Sequence, residues 1–213
     1  MKVMGGISSQ NGRPLEVLHE IRNRQPTQGE EWDVERIKDA LHLDEYPREL
    51  PERPDPKALA DMAAFVNNTR IHYSGNCAVL AAAFHYNAIN RLNILSVENT
   101  SSPFVGFESQ VVHEVVFGKR LKGSCCLHSL REVTEEILRR YEVDGEMFFI
   151  VAVEDYYVGF LEVGHDFNAV VLLDDDAKPC VQFVDTWKTS DTMPSTDRLT
   201  DRFPANSHFY VYS

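Results

Sequence analysis

Residues 74–84 read SGNCAVLAAAF, and the rest of the chain is organised around this stretch. Alanine and leucine are the best helix formers, so the five alanines within residues 78–88 predict a helix. Ser74 and Asn76 are good N-cap residues for that helix. Cys77 is therefore expected in the first helical turn, where unpaired backbone N–H groups and the positive end of the helix dipole favour a thiolate.

A cysteine at this position can be a nucleophile or a core residue. A nucleophilic cysteine needs surroundings that favour the thiolate, and the first turn of a helix provides them. Most free cysteines are instead small buried hydrophobic residues. Whether Cys77 is a nucleophile or a core residue depends on which residues of the downstream sequence lie beside it.

The composition is that of an ordinary folded protein of 213 residues, with 43% hydrophobic and 25% charged residues. This length fits one large domain, or one domain with a helical extension. The net charge of -12 argues against nucleic acid or an anionic membrane as a partner, because both attract basic patches. The apolar run of residues 148–153 is too short to cross a bilayer, and the N-terminus lacks the pattern of a Sec-type signal.

The cysteines and histidines predict neither a disulfide framework nor a metal site. No two of the four cysteines form a CxxC pair, and the adjacent Cys125 and Cys126 are a poor disulfide pair. Reduced thiols and a cytosolic working environment fit this pattern best. The histidines lie at irregular spacings, so we expect no metal and no other cofactor. The histidines with these irregular spacings are His72, His85, His113 and His128.

Helices are predicted before the central stretch. Their apolar residues recur at helical spacing, and Trp32 and Ile37 occupy hydrophobic-staple positions around Asp33 as an N-cap. The predicted helices cover residues 14–24, a segment that starts after Asp33, and residues 57–67.

A proline-rich linker is predicted between the second and third of these helices. Residues 44–57 carry four prolines among charged residues, which is typical of an extended connection. We therefore expect an N-terminal helical extension with its linker over residues 1–56 and a catalytic domain over residues 57–213.

The second half of the chain changes to a pattern of strands. The middle strands are apolar on both faces, so helices are expected to cover the sheet. A turn is expected over residues 99–103, and an amphipathic helix is expected to open at Ser124 or Cys125 and to end at Gly145. The predicted strands cover residues 93–97, 111–117, 147–153, 166–173, 181–187 and 208–212.

The acidic turn of residues 174–179 joins two predicted strands as an antiparallel hairpin. It lacks the central glycine and distal glutamate of an EF-hand, so a solvated turn is expected rather than a calcium loop. If the turn centres near Asp176, His165 and Asp185 lie on the same face as diagonal neighbours. A carboxylate at that place would hold the tautomer of the imidazole and stabilise its charged form.

Together, Cys77, His165 and Asp185 form the set that thiol hydrolysis requires. Each single residue also has a structural interpretation: a histidine before a strand is often structural, and an aspartate can cap a strand end through a turn hydrogen bond. Cys126 is the rival nucleophile, because it also lies near the start of a predicted helix.

These motifs resemble the papain-like cysteine hydrolase superfamily, and within it bacterial papain-fold toxins and effectors that deamidate glutamine. The matching motifs are Gly75-Asn76-Cys77 opening a helix, Gly164-His165 leading a strand, and Phe183-Val184-Asp185 on the next strand. The likeness covers about half of the chain, from Ser74 to about Trp187.

The resemblance implies an α+β fold with a papain-like core, in which the nucleophile helix packs on an antiparallel sheet, preceded by the helical extension. It assigns Cys77 as the nucleophile, His165 as the general base and acid, and Asp185 as the orienting carboxylate. Ile71 stands where papain-type proteases place an oxyanion-hole glutamine. Asn76 is the first candidate for that role; Asn68, His72 and backbone N–H groups are the others.

The resemblance further implies a hydrolase that acts on a carboxamide or peptide bond of a target protein. We expect a secreted bacterial effector that deamidates glutamine, exported without a Sec-type signal and active in the cytosol of a target cell. Three other functions remain open: an effector-type cysteine protease, a peptidoglycan amidase toxin, and a non-enzymatic binding protein.

Overall fold

The computed structural model describes residues 13–67, 76–98, 106–158, 161–188 and 190–213. Within these ranges the chain forms seven helices and six strands. In chain order they are α1 (Arg13–Asn23), α2 (Glu31–Ala40), β1 (Leu41–Glu49), α3 (Pro56–Val66), α4 (Cys77–Asn90), β2 (Leu92–Val97), α5 (Ser109–Phe117), α6 (Leu130–Asp144), β3 (Phe148–Val158), β4 (Leu161–Leu173), β5 (Pro179–Val184), α7 (Thr196–Arg202) and β6 (His208–Tyr212).

The strands form two antiparallel sheets. β1 pairs with β2, and the larger sheet has the strand order β5-β4-β3-β6. Helix α4 packs on one face of the larger sheet, and α6 and α7 cover the other face. The expectation of an antiparallel sheet covered by helices is therefore confirmed.

Helix α4 is buried on nearly its whole circumference, because small and apolar side chains surround its axis. Its residues 78–85 are all buried. A helix that is apolar all round belongs inside the protein, and its alanines let neighbouring elements approach closely. It contacts α3, α5, β2, β3 and β4. The helices α1 and α2 contribute Ile21 and Ile37 to the same apolar cluster.

Several sequence predictions agree with the structure. The helices at residues 14–24 and 57–67 are α1 and α3, and α3 begins with the Asp55 carboxylate accepting from the N–H of Ala58 at 2.7 Å. The strands at residues 93–97 and 208–212 correspond to β2 and β6. The register of the hairpin is also confirmed: Asn168 pairs with Val184, which places residue 167 opposite residue 185. The Asp174 carboxylate accepts hydrogen bonds from backbone N–H groups within the turn.

The prediction of a strand over residues 111–117 is wrong, since the segment is helix α5. Pairs of valines recur four residues apart here, at 111–112 and at 115–116, and all four are buried. This spacing forms one face of a helix, and its burial outweighs the low helix propensity of valine. Gly118 adopts φ 71° and ends the helix.

The expected start of the amphipathic helix at Ser124 or Cys125 is also wrong. Helix α6 begins at Leu130, where the Ser129 hydroxyl accepts from the N–H of Glu132 and the Glu132 carboxylate accepts from the N–H of His128. This reciprocal arrangement resembles a capping box, whose Ser-x-x-Glu signature is present in the sequence. Gly145 ends the helix as expected, with φ 71°.

Two predictions in the N-terminal part need correction. Residues 44–57 were expected to be an extended linker, but residues up to Glu49 belong to β1, whose pairing with β2 is interrupted by a register shift between Leu43 and Arg48. Proline is tolerated in such an edge strand. The N-cap position of helix α2 is Glu30, whose side chain makes no capping hydrogen bond, rather than Asp33, and Trp32 is 62% exposed instead of forming a staple.

Helix α7 was not predicted, although the Ser195 hydroxyl caps it by accepting from the N–H of Arg198. The expected turn at residues 99–103 lies outside the described residues. No helix in the described part of the chain has the length and apolar character needed to span a membrane.

Two buried histidines between α4 and α5 make the fold sensitive to acid. Burial lowers the pKa of His85 to about 3, with further lowering by His113 and Lys119, and it lowers the pKa of His113 to about 4. The His113 ring packs against the rings of Tyr212 and Phe117, with centroids 5.0 Å and 6.1 Å away. Both imidazoles are therefore neutral in the folded protein at neutral pH.

We predict that this pair destabilises the protein as the pH falls. Because the pKa of each histidine is lower in the folded chain than the unfolded value of 6.5, the folded state has its full stability above pH 6.5. Below that pH the unfolded chain takes up protons first, and the free energy of unfolding falls. For His113 about 3 kcal/mol of unfolding free energy is lost between pH 6.5 and pH 4. Replacing His113→Phe keeps an aromatic ring there and should flatten the pH dependence. Urea unfolding at several pH values measures this, with the exposed His19→Phe as the control. An unchanged slope in His113→Phe would contradict the assignment.

Candidate active site

Cys77 is the first residue of α4, and Asn76 precedes it with a buried side chain. The first backbone hydrogen bond of the helix runs from the N–H of Leu80 to the carbonyl of Asn76 at 3.0 Å. The N–H groups of Cys77 and Ala78 therefore have no acceptor within the helix. Because they point out of its N-terminus, the first turn offers hydrogen-bond donors beside the thiol.

His165 lies inside β4, which starts earlier than predicted and pairs His165 with Val153 of β3. Its Nε2 is 3.0 Å from Oδ2 of Asp185, which directly follows β5. His165 is 6% exposed and Asp185 is 0% exposed, so both polar groups rely on each other within the core. The diagonal arrangement predicted from the hairpin register is the one observed.

The Asp185 carboxylate is held by three donors. Oδ1 accepts from the N–H of Trp187 at 3.1 Å, and Oδ2 accepts from Nη1 of Arg202 at 2.5 Å as well as from His165. The N–H of Asp185 itself donates to the carbonyl of Thr192 at 2.9 Å. The Asp185 side chain thus forms the turn hydrogen bond that a structural role at the strand end predicts, and it also binds the imidazole.

These contacts govern the protonation of the pair. Burial opposes a charge on His165, but the Asp185 carboxylate and the contact with Cys77 outweigh it and raise the pKa of His165 to about 10. Burial also opposes a charge on Asp185, yet His165 and Arg202 hold the pKa of that carboxyl below its usual value. At neutral pH the pair is therefore an imidazolium and a carboxylate.

The structure brings Cys77 to the same imidazole. The thiol hydrogen-bonds to His165 and contributes to raising the pKa of the ring. Nε2 is engaged by Asp185, which leaves Nδ1 as the ring nitrogen available to the Cys77 sulfur. Cys77 contacts His165, and His165 contacts Asp185, which is the order of contacts that nucleophilic chemistry by a thiol requires.

Aromatic side chains enclose the imidazole. Trp187 meets the His165 ring edge-on, with centroids 5.5 Å apart, and Phe167 stacks on it at 6.0 Å. Phe203 lies 6.2 Å away. Such a lining restricts the orientation of the ring and keeps water from the His165–Asp185 hydrogen bond, which strengthens that bond.

Two buried asparagines fix the elements that carry the site. Asn168 of β4 donates from Nδ2 to the carbonyl of Ala81 in α4 at 3.0 Å and to that of Phe149 in β3 at 3.3 Å. Asn67 donates to the carbonyl of Thr186, next to Asp185, at 2.8 Å. These bonds hold α4, β4 and the segment after β5 in one arrangement.

Sequence reasoning missed Arg202, Asn168 and Asn67 as supporting residues. Asn168 could have been identified from the sequence, because it is a polar residue within an apolar strand and such residues need a buried hydrogen-bond partner. Arg202 could not, because helix α7 itself was not predicted. Asn68 and His72, which were considered for the oxyanion role, and Ile71, which stands at the glutamine position, lie outside the described residues.

Cys126 differs from Cys77 in its surroundings. It lies in an extended segment before Ser129 caps α6, so no helix N-terminus faces its thiol. The helix start at Ser124 or Cys125, on which its candidacy as a nucleophile depended, is wrong. Among the described residues, however, Cys126 lies beside His128 and His208, a group that the sequence did not reveal because His208 is distant in the chain.

Comparisons with known proteins agree over the whole chain. The model of the family described as Salmonella plasmid virulence protein SpvD matches residues 1–213. Virulence protein vsdE of Salmonella typhimurium and virulence protein SpvD of Salmonella dublin are each 43% identical over 213 residues, covering 99% of this chain and 96% of theirs.

Solved structures of the same family are similar to this fold. The structure titled Salmonella effector SpvD - G161 variant has a TM-score of 0.80 at 41% identity, and it covers 97% of this chain and 98% of its own. The R161 variant has a TM-score of 0.76 at 35% identity, with 97% and 99% coverage. The mixed α/β architecture with antiparallel sheets is thus shared with these structures.

We predict that His165 controls the reactivity of Cys77. Replacing His165→Ala removes the imidazolium beside the sulfur, and the rate of Cys77 alkylation by iodoacetamide at neutral pH should fall by roughly tenfold or more. Peptide mapping by mass spectrometry measures the rate at each cysteine. Cys125 is exposed and is not one of the residues that contact His165 in the site described above, so its rate serves as the internal control. Equal Cys77 rates in the two proteins would contradict the contact.

Proposed function

The chain belongs to the SpvD family of Salmonella virulence effectors, and on that premise we propose that it is a papain-like thiol hydrolase. We further propose that it is secreted, acts in the cytosol of a target cell, and deamidates glutamine in a target protein. The observation that carries the proposal is the position of His165 between the Cys77 thiol and the Asp185 carboxylate.

The first step is attack by sulfur on an amide carbonyl. The imidazolium of His165, which Asp185 stabilises, lies beside Cys77, and we propose that the sulfur attacks as a thiolate paired with this ring. The attack forms a C–S bond and places negative charge on the carbonyl oxygen. The N–H groups of Cys77 and Ala78 and the carboxamide of Asn76 supply donors close to that oxygen.

The second step releases the leaving group. The His165 proton moves to the amide nitrogen, the C–N bond breaks, and a thioester on Cys77 remains. With a glutamine side chain as the substrate the leaving group is ammonia. The now neutral imidazole then draws a proton from water, hydroxide attacks the thioester, and glutamate and the free thiol are formed.

Asp185 acts through His165 rather than on the substrate. It fixes the ring with Nε2 toward the carboxylate, which leaves Nδ1 for the sulfur and for the leaving group. Arg202 keeps this carboxylate ionised through its own hydrogen bond to Oδ2. The chemistry needs no metal or organic cofactor in this scheme.

The choice of a carboxamide substrate rests on the resemblance to papain-fold effectors that deamidate glutamine. Conversion of glutamine to glutamate changes the charge of the target without cutting it. The acidic chain, with a net charge of -12, favours a target with a basic surface.

We predict a mass gain of about one dalton in a target protein from a host-cell cytosolic extract, because an amide becomes an acid. Quantitative peptide mass spectrometry after incubation with the protein identifies the modified glutamine. Cys77→Ala and His165→Ala should abolish the change, and Asp185→Asn should lower its rate by about 10²–10⁴-fold. The fold of each variant is checked by circular dichroism.

Cys126→Ala is the matched control and should keep full activity. Turnover in Cys77→Ala or His165→Ala would refute the assignment of the site. Cleavage of the target into two fragments would instead assign the same site to a cysteine protease, and lysis of bacterial cell walls would assign it to a peptidoglycan amidase. Absence of any covalent change would favour a binding protein.

A further inference from the structure

A second group of reactive side chains lies outside the proposed active site. Cys126, His128 and His208 each offer one ligand atom, and these three atoms all lie within 4.8 Å of one another. A thiol and two imidazoles are a common zinc ligand set, and none of the three takes part in the chemistry of Cys77.

The backbone creates this group by a short strand pairing. Leu127 and Phe209 form an antiparallel bridge, with the N–H of each donating to the carbonyl of the other at 3.0 Å and 2.8 Å. Both of these side chains are buried in the apolar cluster under α6. Since side chains alternate along paired strands, Cys126, His128 and His208 project from the opposite face.

The pairing also fixes which residues are neighbours. His128 stands directly opposite His208, with ring centroids 5.4 Å apart, and Cys126 lies diagonally from His208. The three donors are therefore held by hydrogen-bonded backbone rather than by a loose loop. Glu154 opposes His208 in the β3–β6 register, on the same face, where zinc-binding histidines commonly have a carboxylate beside them.

We propose that Cys126, His128 and His208 bind one Zn²⁺ ion. Zinc takes thiolate sulfur at about 2.3 Å and imidazole nitrogen at about 2.0 Å in tetrahedral geometry, so the ligand atoms need to close to about 3.5 Å from one another. Rotation of the three side chains, with the exposed His128 the freest among them, would provide this closure. Water completes the fourth position. A thiolate with two imidazoles does not suit calcium or magnesium, which take oxygen ligands.

Zinc at this place would join two segments that are far apart in the sequence. One is the extended segment before α6, and the other is β6 at the edge of the larger sheet. Because the ion binds the folded arrangement of both segments, it stabilises the native state by mass action. The thiol must lose its proton on binding, so the affinity rises with pH.

The test uses the full chain without a histidine tag, stripped with a chelator and titrated with ZnCl₂ against a chromophoric zinc indicator. We expect one equivalent of Zn²⁺ to bind, and the affinity to fall by at least about tenfold in Cys126→Ser, in His208→Ala and in His128→Ala. His128 is exposed, so its variant is the least able to disturb the fold. Titration with Co²⁺ should give a sulfur-to-metal charge-transfer band that Cys126→Ser lacks.

Cys125→Ser and Cys77→Ser are the matched controls and should bind zinc like the wild type. The first removes the neighbouring exposed thiol, and the second removes the thiol of the proposed active site. Zinc should also raise the melting temperature of the wild type and leave that of His208→Ala unchanged. Absence of stoichiometric binding, equal affinity in Cys126→Ser, or loss of binding in Cys77→Ser would each overturn the proposal.

Discussion

The hydrogen bond from the Asn168 side chain to the carbonyl of Ala81 is the constraint on which the site depends. It ties the middle of α4 to β4, the strand that carries His165. A buried carboxamide is costly unless it is paired, so α4 has one favourable position along the sheet. The small alanine side chains of this helix allow that close approach. The same position brings the first residue of α4 to the imidazole.

The charges at the site are balanced as a group. Asp185 stands at 0% exposure between two cationic partners, the His165 imidazolium and the Arg202 guanidinium. A buried carboxylate with one partner would be less well compensated, and two partners keep it ionised. The Arg202 guanidinium comes from α7 and the His165 imidazolium comes from β4. The short helix near the C-terminus thus supports the electrostatics of the centre.

The sequence predicts the parts of the site that follow from local patterns. The alanine-rich helix behind Cys77 and the register that joins His165 to Asp185 depend on propensity and on the turn, and both were foreseen. Helix α5 was missed because its valines favour strands when they are read without their partners. Arg202, Asn168 and the group of Cys126, His128 and His208 depend on contacts between distant segments. The spacing of residues in a single sequence does not predict contacts between distant segments.

The order in which these contacts can form has a consequence for the unfolded chain. His165 and Asp185 come from one hairpin and are separated by 20 residues, whereas the Asn168–Ala81 contact spans 87 residues. Short loops close at a smaller entropic cost than long ones, so the hairpin can assemble before α4 docks. Until docking is complete, the sulfur has no imidazole beside it. The contact between Cys77 and His165 is thereby a property of the docked tertiary structure and not of either segment alone.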